Sequence, residues 1–370
     1  MTPPVAANDF VRQWEDLGED ALAAVDRVGR SGWLVLGEEV AGFEAELAAW
    51  WGVPHAVGVA SGLDAISIGL RCVGIGPGDR VVTTPLTAFA TTLAIVQVGA
   101  RPIWVDVDET GSLDLDLTAQ ALQADPSIRA VVPVHLYGHP LDPDRLRALE
   151  AEFDVVVVED CAQSAGAERA GAPTGAAGRV AATSLYPTKN LGAMGDGGVV
   201  LTADEEVAAR ARSLRDYGQR ARYEHVELGL NSRLDEVQAA IMRSAQLPRL
   251  DRHLARRREV ATHYTEALRD TSLRPIVATG GTSAHHLYPV EVEEDPDAVF
   301  AALREAGIGV GRHYPFVCPD QPAAVGVGDS IGDLSVSRRL AARELSLPIH
   351  PYLTDAEVET VIAACLRVGG

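Results

Sequence analysis

Between residues 56 and 202 the chain repeats one pattern. A short, nearly continuous apolar run is followed by a stretch whose apolar positions recur three or four apart. The runs Ala56–Val59, Arg80–Thr83, Arg101–Val105, Ala130–Val134, Val155–Val158, Ala181–Leu185 and Gly198–Leu201 predict strands. Leu63–Cys72, Thr87–Val98, Pro143–Ala151 and Glu205–Tyr217 predict helices. Strands without polar alternation are covered on both faces, so the pattern predicts a largely parallel sheet between layers of helix. Residues 8–50 show helical spacing, broken near Gly29–Trp33 and at Gly37. Residues 234–269 predict a long helix with a break near Pro248. From residue 275 the pattern changes to a smaller α+β unit, with strands at His286–Val292 and Val310–Tyr314 and a closing helix at Asp355–Leu366. The fold class is therefore α/β, with a large unit over residues 1–245 and a small C-terminal unit over 246–370.

Composition narrows the classes of function. The 370 residues suffice for one large and one small domain, and an apolar content of 47% is ordinary for a soluble protein. A formal charge of −20 disfavours nucleic acid and anionic membranes as partners, although local arginines can still hold a small anion. Cys72, Cys161, Cys318 and Cys365 are scattered, with no CxxC and no metal-ligand spacing. They predict no metal site, and buried free thiols in a reducing cytoplasm. Met1–Phe10 lacks the basic start and apolar centre of a signal peptide. Leu86–Ala100 is too short to span a membrane and carries threonines, so it predicts a buried helix. The chain shows no internal repeat and no low-complexity linker.

Ligands of such sheets bind at the C-terminal ends of strands, where Ser61, His135, Asp160 and Ser184 fall. Lys189 lies in the loop Ser184–Gly192, about thirty residues after the apolar strand that ends in Glu159 and Asp160. A strand-end acid followed by a loop lysine suits a pyridoxal phosphate (PLP) site. The carboxylate keeps the pyridinium protonated and the amine forms a Schiff base. A lysine kept in a chain whose other basic residues are nearly all arginine points the same way, because arginine cannot form that bond at neutral pH. Ala60–Asp64 joins a strand to a helix. Gly62 permits close approach and the helix start offers free amides to an anion, although the same turn also reads as an ordinary cap by Ser61 or Asp64. Gly74–Gly78 follows a helix and is no dinucleotide-binding fingerprint.

Together these segments resemble the DegT/DnrJ/EryC1/StrS family of PLP-dependent sugar aminotransferases, over nearly the whole chain. The resemblance implies the aspartate-aminotransferase-like fold (fold type I). It implies Lys189 as Schiff-base lysine and proton shuttle, Asp160 on the ring nitrogen and Gln163 beside the ring hydroxyl. Cys161 stands where the family usually has alanine. Ser61, Gly62 and Ser184 would meet the phosphate, and Leu63 replaces a frequent threonine, losing a hydroxyl but keeping the amide. Asn231 matches an asparagine that reaches the phosphate of the partner subunit, which implies a homodimer with a shared active site. Ala88 occupies the position of an aromatic residue that stacks on the ring. Phe89 is adjacent but points about 100° away on a helix, and reads equally as a core residue.

Tyr186, with Gly62-Leu63-Asp64-Ala65, favours chemistry at C3 of a keto sugar. His313-Tyr314-Pro315 resembles a motif beside the sugar, with a structural loop histidine as the alternative for His313. Arg222 matches a basic position facing a nucleotide pyrophosphate, or is simply solvated. His135 is a family hallmark without an assigned chemical role. Lysine at position 189, where related sugar 3-dehydratases carry histidine, argues for transamination. The implied activity is amino transfer from glutamate or glutamine to a nucleotide-linked keto sugar, with the cofactor cycling between PLP and pyridoxamine phosphate. A keto-cyclitol acceptor is one alternative. A non-catalytic scaffold or regulator is another, against which the intact Lys189, Asp160, Gln163 and Ser184 speak.

Overall fold

A computed structural model describes residues 4–293 and 295–369. Two helices, α1 (Phe10–Ser31) and α2 (Glu38–Trp51), precede an alternating run. That run comprises β1 (His55–Val59), α3 (Gly62–Cys72), β2 (Arg80–Thr83), α4 (Phe89–Gln97), β3 (Arg101–Val105), α5 (Leu115–Ala124), β4 (Ile128–Val132), α6 (Pro143–Phe153), β5 (Val156–Asp160), β6 (Val180–Ser184), β7 (Gly198–Thr202) and α7 (Glu205–Arg215). The remainder holds α8 (Glu236–Ile241), α9 (Leu250–Ala267), β8 (Leu273–Pro275), β9 (Tyr288–Val292), α10 (Pro296–Glu305), β10 (Asp329–Ile331), α11 (Ser335–Arg343), β11 (Glu344–Leu347) and α12 (Asp355–Gly369).

The main sheet has eight strands in the order β1-β7-β6-β5-β4-β2-β3-β10. Every pairing is parallel except the two made by β7. Successive strand residues explain the continuous apolar runs. Val81 and Val158 enter a core under α3, α4 and α7, while Val82 and Val157 enter a core under α5 and α6. Both faces of these central strands are thus covered, and an exposed polar position there would waste buried area. Helix starts follow the local chemistry: the Asp142 side chain accepts from the amides of Asp144 and Arg145, and Pro143 fills the first turn. The long predicted helix of 234–269 is α8 and α9 joined by a π turn at Met242–Gln246 and a 3-10 turn at Leu247–Arg249. Pro248 sits at the break, where its missing N–H interrupts the ladder.

The C-terminal part builds a second core on the antiparallel sheet β8-β9-β11, packed against α9, α10 and α12. Val5 belongs to this core and exchanges backbone hydrogen bonds with Gly307 and Gly309, so the start of the chain crosses to the C-terminal unit. One sequence expectation fails and one strand was not foreseen. Val310–Tyr314 forms no strand: Gly311 makes only an isolated bridge to Ser346, and the backbone N–H of His313 is taken by the carboxylate of Glu344. β10, a three-residue parallel edge strand on β3, carried no apolar signal because two of its three residues are polar.

α2 starts at Gly37, which has no side chain to cap it. The carboxylate of buried Glu236, distant in sequence, accepts instead from the amides of Gly37, Glu39 and Val40 at 2.7, 3.0 and 2.9 Å. Glu236→Ala strands three donors. We expect a loss of roughly 2–3 kcal/mol, read as a lowered urea midpoint, with partial recovery in Glu236→Gln.

Candidate active site

The C-terminal ends of β1, β4, β5 and β6 face the C-terminal unit across a cavity of about 400 Å³. Its walls include Ser61, Gly62, Leu63, Ala88, Asp160, Gln163, Ser184, Tyr186 and Lys189 from the large unit, and His286, His313, Tyr314 and Ser346 from the other. Ala7 and Asn8 close one side. Sequence-predicted residues separated by more than two hundred positions therefore meet in one place.

Asp160 ends β5 and is 4% exposed. Burial raises its pKa, opposed by the amide of Ala162 at 3.0 Å on Oδ1, the hydroxyl of Thr91 at 2.8 Å on Oδ2, and the charge of Lys189. Lys189 is the only lysine in the chain. It sits half-buried on the loop after β6, and desolvation lowers its pKa to about 8 despite the attraction of Asp160. Among the described residues its amine forms no ion pair, and its backbone N–H donates to Tyr186. A buried carboxylate without a contacting cation is costly, and a protonated ring nitrogen is a partner that would relieve it.

Beneath Asp160 lies a buried support. Glu159 accepts from His135 Nε2 at 2.8 Å and from the amides of Gly175, Ala177 and Gly178. Burial alone would raise the Glu159 pKa, but these bonds outweigh it and hold the carboxyl below its ordinary range. The Leu141 amide donates to His135 Nδ1, so His135 carries its proton on Nε2. Its backbone amide bonds the Asp160 carbonyl at 3.1 Å. His135, Glu159 and Cys161 lie close enough to suggest a metal. Yet the Glu159 oxygens and both His135 nitrogens are engaged in hydrogen bonds, and burial pushes the Cys161 thiol well up, away from the thiolate that binds metals. The role that sequence reasoning left blank for His135 is thus to anchor the strand end that carries Asp160.

The turn from β1 to α3 is built for close approach. Ser61 caps α3 by accepting from Asp64, and the amides of Gly62 and Leu63 have no acceptor among the described residues. A Cβ on Gly62 would stand 2.6 Å from the Cβ of Ser184, and one on Gly198 would stand 2.2 Å from the Ser61 carbonyl. These glycines bring Ser61, Ser184 and two free amides around one point at a helix N-terminus, an arrangement suited to a phosphate. With Asp160 for a ring nitrogen and Lys189 for an aldehyde, the residues present fit PLP.

Other expectations are modified. Gln163 lines the cavity, but its Oε1 accepts from the Tyr137 amide at 2.6 Å and its Nε2 donates to the Tyr314 hydroxyl at 3.1 Å, so it ties the two units together. Ala88 lines the cavity and offers no ring, while Phe89 packs on the Trp104–Cys318 core. Asn231 and Arg222 are exposed and do not line the cavity of their own chain, and the Arg222 guanidinium stacks on Tyr223. Sequence reasoning missed Thr91, His286 and Glu344. His286 is buried at the cavity wall with Nδ1 unpartnered among the described residues, and desolvation, then Lys189, disfavours its charge. Its signal was the His285-His286 pair just before β9.

The sequence pattern of the DegT/DnrJ/EryC1/StrS aminotransferase family matches residues 15–366. The chain is 42% identical to a dTDP-3-amino-3,4,6-trideoxy-alpha-D-glucose transaminase of Streptomyces venezuelae, over 98% of this chain and 96% of that protein. It is 38% identical to a protein of Geobacillus stearothermophilus named a pleiotropic regulatory protein, over 96% and 95%. The crystal structure of S. venezuelae DesV with a ketimine intermediate superposes with a TM-score of 0.95 at 42% identity, covering 99% of both chains.

Gly62→Ala tests the cradle. The added methyl forces the β1–α3 turn and β6 apart, and we expect PLP affinity to fall at least about tenfold with little change in the far-UV spectrum, measured by titrating the protein with PLP.

Proposed function

The chain belongs to the DegT/DnrJ/EryC1/StrS aminotransferase family and is a PLP-dependent transaminase, and on that premise we propose that it moves an amino group from glutamate or glutamine to C3 of a nucleotide-linked keto sugar. The observation that carries the reading is the opposition of the sole lysine, desolvated, to buried Asp160 across one cavity. The C3 position is supported by the S. venezuelae relative, whose name places its amine at C3 of a dTDP sugar, and by Tyr186, His313 and Tyr314 at the cavity wall.

Bound there, PLP supplies an electron sink for loss of a proton from the carbon that bears the nitrogen. Asp160, its carboxylate fixed by Thr91 and the Ala162 amide, would favour the protonated ring nitrogen. Lys189 has its pKa brought near working pH by burial, so its amine can take that proton and return it. Ser61, Ser184 and the amides of Gly62 and Leu63 would hold the phosphate, and Gln163 would help to hold the ring. Tyr186, His313 and Tyr314, which line the same cavity, would face the sugar.

The proposal includes a homodimer. Asn231, exposed at its loop, and Arg222, exposed on a hairpin, reach the cavity of a second copy. Tyr186 and Met194 near the cavity mouth and Leu228 near Asn231 are more than half exposed, which suits cover by another chain. A cytoplasmic setting is part of the same reading, supported by four buried, unpaired thiols. No helix among the described residues is long and apolar enough to cross a membrane.

The decisive measurement is the absorbance of purified protein with PLP, before and after glutamate. Wild type should show a near-visible band that glutamate bleaches, and borohydride should fix the cofactor on the Lys189 peptide by mass. Lys189→Ala should show neither. A wild type that binds PLP but responds to no amino donor would point instead to a regulatory role, which the name of the G. stearothermophilus relative raises. Asp160→Asn should keep PLP yet slow the glutamate half-reaction by roughly 10²–10³-fold, measured by stopped flow.

A further inference from the structure

His313 is backed by a short chain of hydrogen bonds that leads away from the cavity to a buried acid. Its Nδ1 lies 2.9 Å from Ser346 Oγ. Ser346 Oγ in turn contacts Glu344 Oε1, and Glu344 Oε2 accepts from the His313 backbone N–H at 2.6 Å. Glu344 and Ser346 are 1% and 3% exposed. Glu344 has no ion-pair partner among the described residues. Arg312 beside it pairs with Asp297, and its cross-strand neighbour Glu291 pairs with Arg274 and Arg339. The outer nitrogen of His313, Nε2, has no protein partner among the described residues, and the ring lines the cavity.

Counting protons along this chain leaves two states. The Ser346 hydroxyl has one proton to give. With Glu344 ionised, Ser346 gives it to the carboxylate, His313 gives Nδ1–H to Ser346, and Nε2 is a bare acceptor. With Glu344 neutral, the acid gives its proton to Ser346, Ser346 gives its own to Nδ1, and Nε2 carries hydrogen as a donor. Passing from the neutral to the ionised state releases one proton through Nε2, moves the Ser346 proton to Nδ1 and moves the Glu344 proton to Ser346.

We propose that Glu344 is a positioning residue which, through Ser346, sets whether His313 Nε2 gives or accepts a hydrogen bond in the cavity. Burial without a cation pushes Glu344 up to about 8, and burial, then the charge of Lys189, pushes His313 down to about 4. Between these values the ring is neutral and Nε2 is a donor. Above the upper value Glu344 ionises and Nε2 becomes an acceptor. The groups around Glu344 that titrate or carry charge are Arg312, Tyr137, Tyr314 and Glu291. Those around His313 are Lys189, His286 and Tyr314. The donor at Nε2 is placed for an oxygen of the bound sugar. That consequence rests on the function proposed above, whereas the relay does not.

The test uses the PLP-loaded protein, labelled with ¹⁵N-histidine and free of sugar. Long-range ¹H–¹⁵N spectra report each ring's tautomer, and His313 is identified by its loss in His313→Gln. Wild type should hold the Nε2–H form at neutral pH and change to Nδ1–H with a midpoint near 8. Glu344→Gln keeps an N–H for Ser346 and an acceptor for the His313 amide, so it should hold Nε2–H from about pH 6 to about pH 9.5. Ser346→Ala should abolish the transition at His313. A single unchanging tautomer in wild type, or the same transition persisting in Glu344→Gln, overturns the proposal. If a variant does not fold, the wild-type titration decides alone. Because no sugar is present, a failure of amino transfer leaves this result untouched.

Discussion

The site depends on keeping a buried carboxylate and a recessed amine in one cavity without letting them touch. Asp160 and Lys189 each lose solvation, and their attraction is not spent on a direct ion pair. Isolated charges out of water cost several kcal/mol each, so the surrounding structure must hold them apart. It does so with the sheet. Asp160 is fixed at the end of a central strand, its carbonyl tied to His135 and its oxygens to Thr91 and Ala162. His135 is locked in turn by Glu159, whose carboxylate is saturated by backbone amides. The amine comes from a loop on the neighbouring strand, close enough to be felt and too far to bond. A ligand carrying a ring cation, an aldehyde and a phosphate would answer Asp160, Lys189 and the free amides of Gly62 and Leu63 at once.

The C-terminal unit supplies the remaining wall through a few specific ties. Tyr137 reaches from the large unit to the His313 carbonyl at 3.0 Å, and Gln163 reaches Tyr314. Gly138 at this seam has φ 93°, and a Cβ there would press on the amides of His285 and His286 within 3.1 Å, so only glycine lets the two units meet so closely. The polypeptide start also crosses the seam at Val5. The cavity is thus held from three separate stretches of chain, which suits a site where a displacement of 1 Å would cost catalysis.

Much of this was legible in the sequence because the large unit obeys local rules. Continuous apolar strands, capped helices and a strand-end acid each announce themselves over a few residues, and Ser61, Asp160, Ser184 and Lys189 fell where the pattern put them. The failures share a cause. Val310–Tyr314 looks like a strand, yet its backbone is claimed by a side chain from β11. Glu344 is an unremarked acid in sequence, and only tertiary placement buries it against His313. Thr91 is one of several threonines on its segment, and its bond to Asp160 crosses between elements. Asn231 and Arg222 turn outward, so no reading of one chain could seat them. Short-range chemistry is written in the sequence, whereas long-range hydrogen bonding has to be seen.

The solitary status of Lys189 reaches beyond catalysis. Arginine carries every other basic charge in this chain, and guanidinium resists acylation and reductive alkylation under conditions that consume amines. Side-chain amine reagents therefore have a single address on this protein, recessed in the cavity and, on the function proposed above, occupied whenever the cofactor is bound. Amine-reactive dyes, cross-linkers and activated surfaces would find no other side chain, and a cofactor held there as proposed would shield the one residue that such labelling could ruin. Amine chemistry that scrambles most proteins would thus meet one side chain per subunit here.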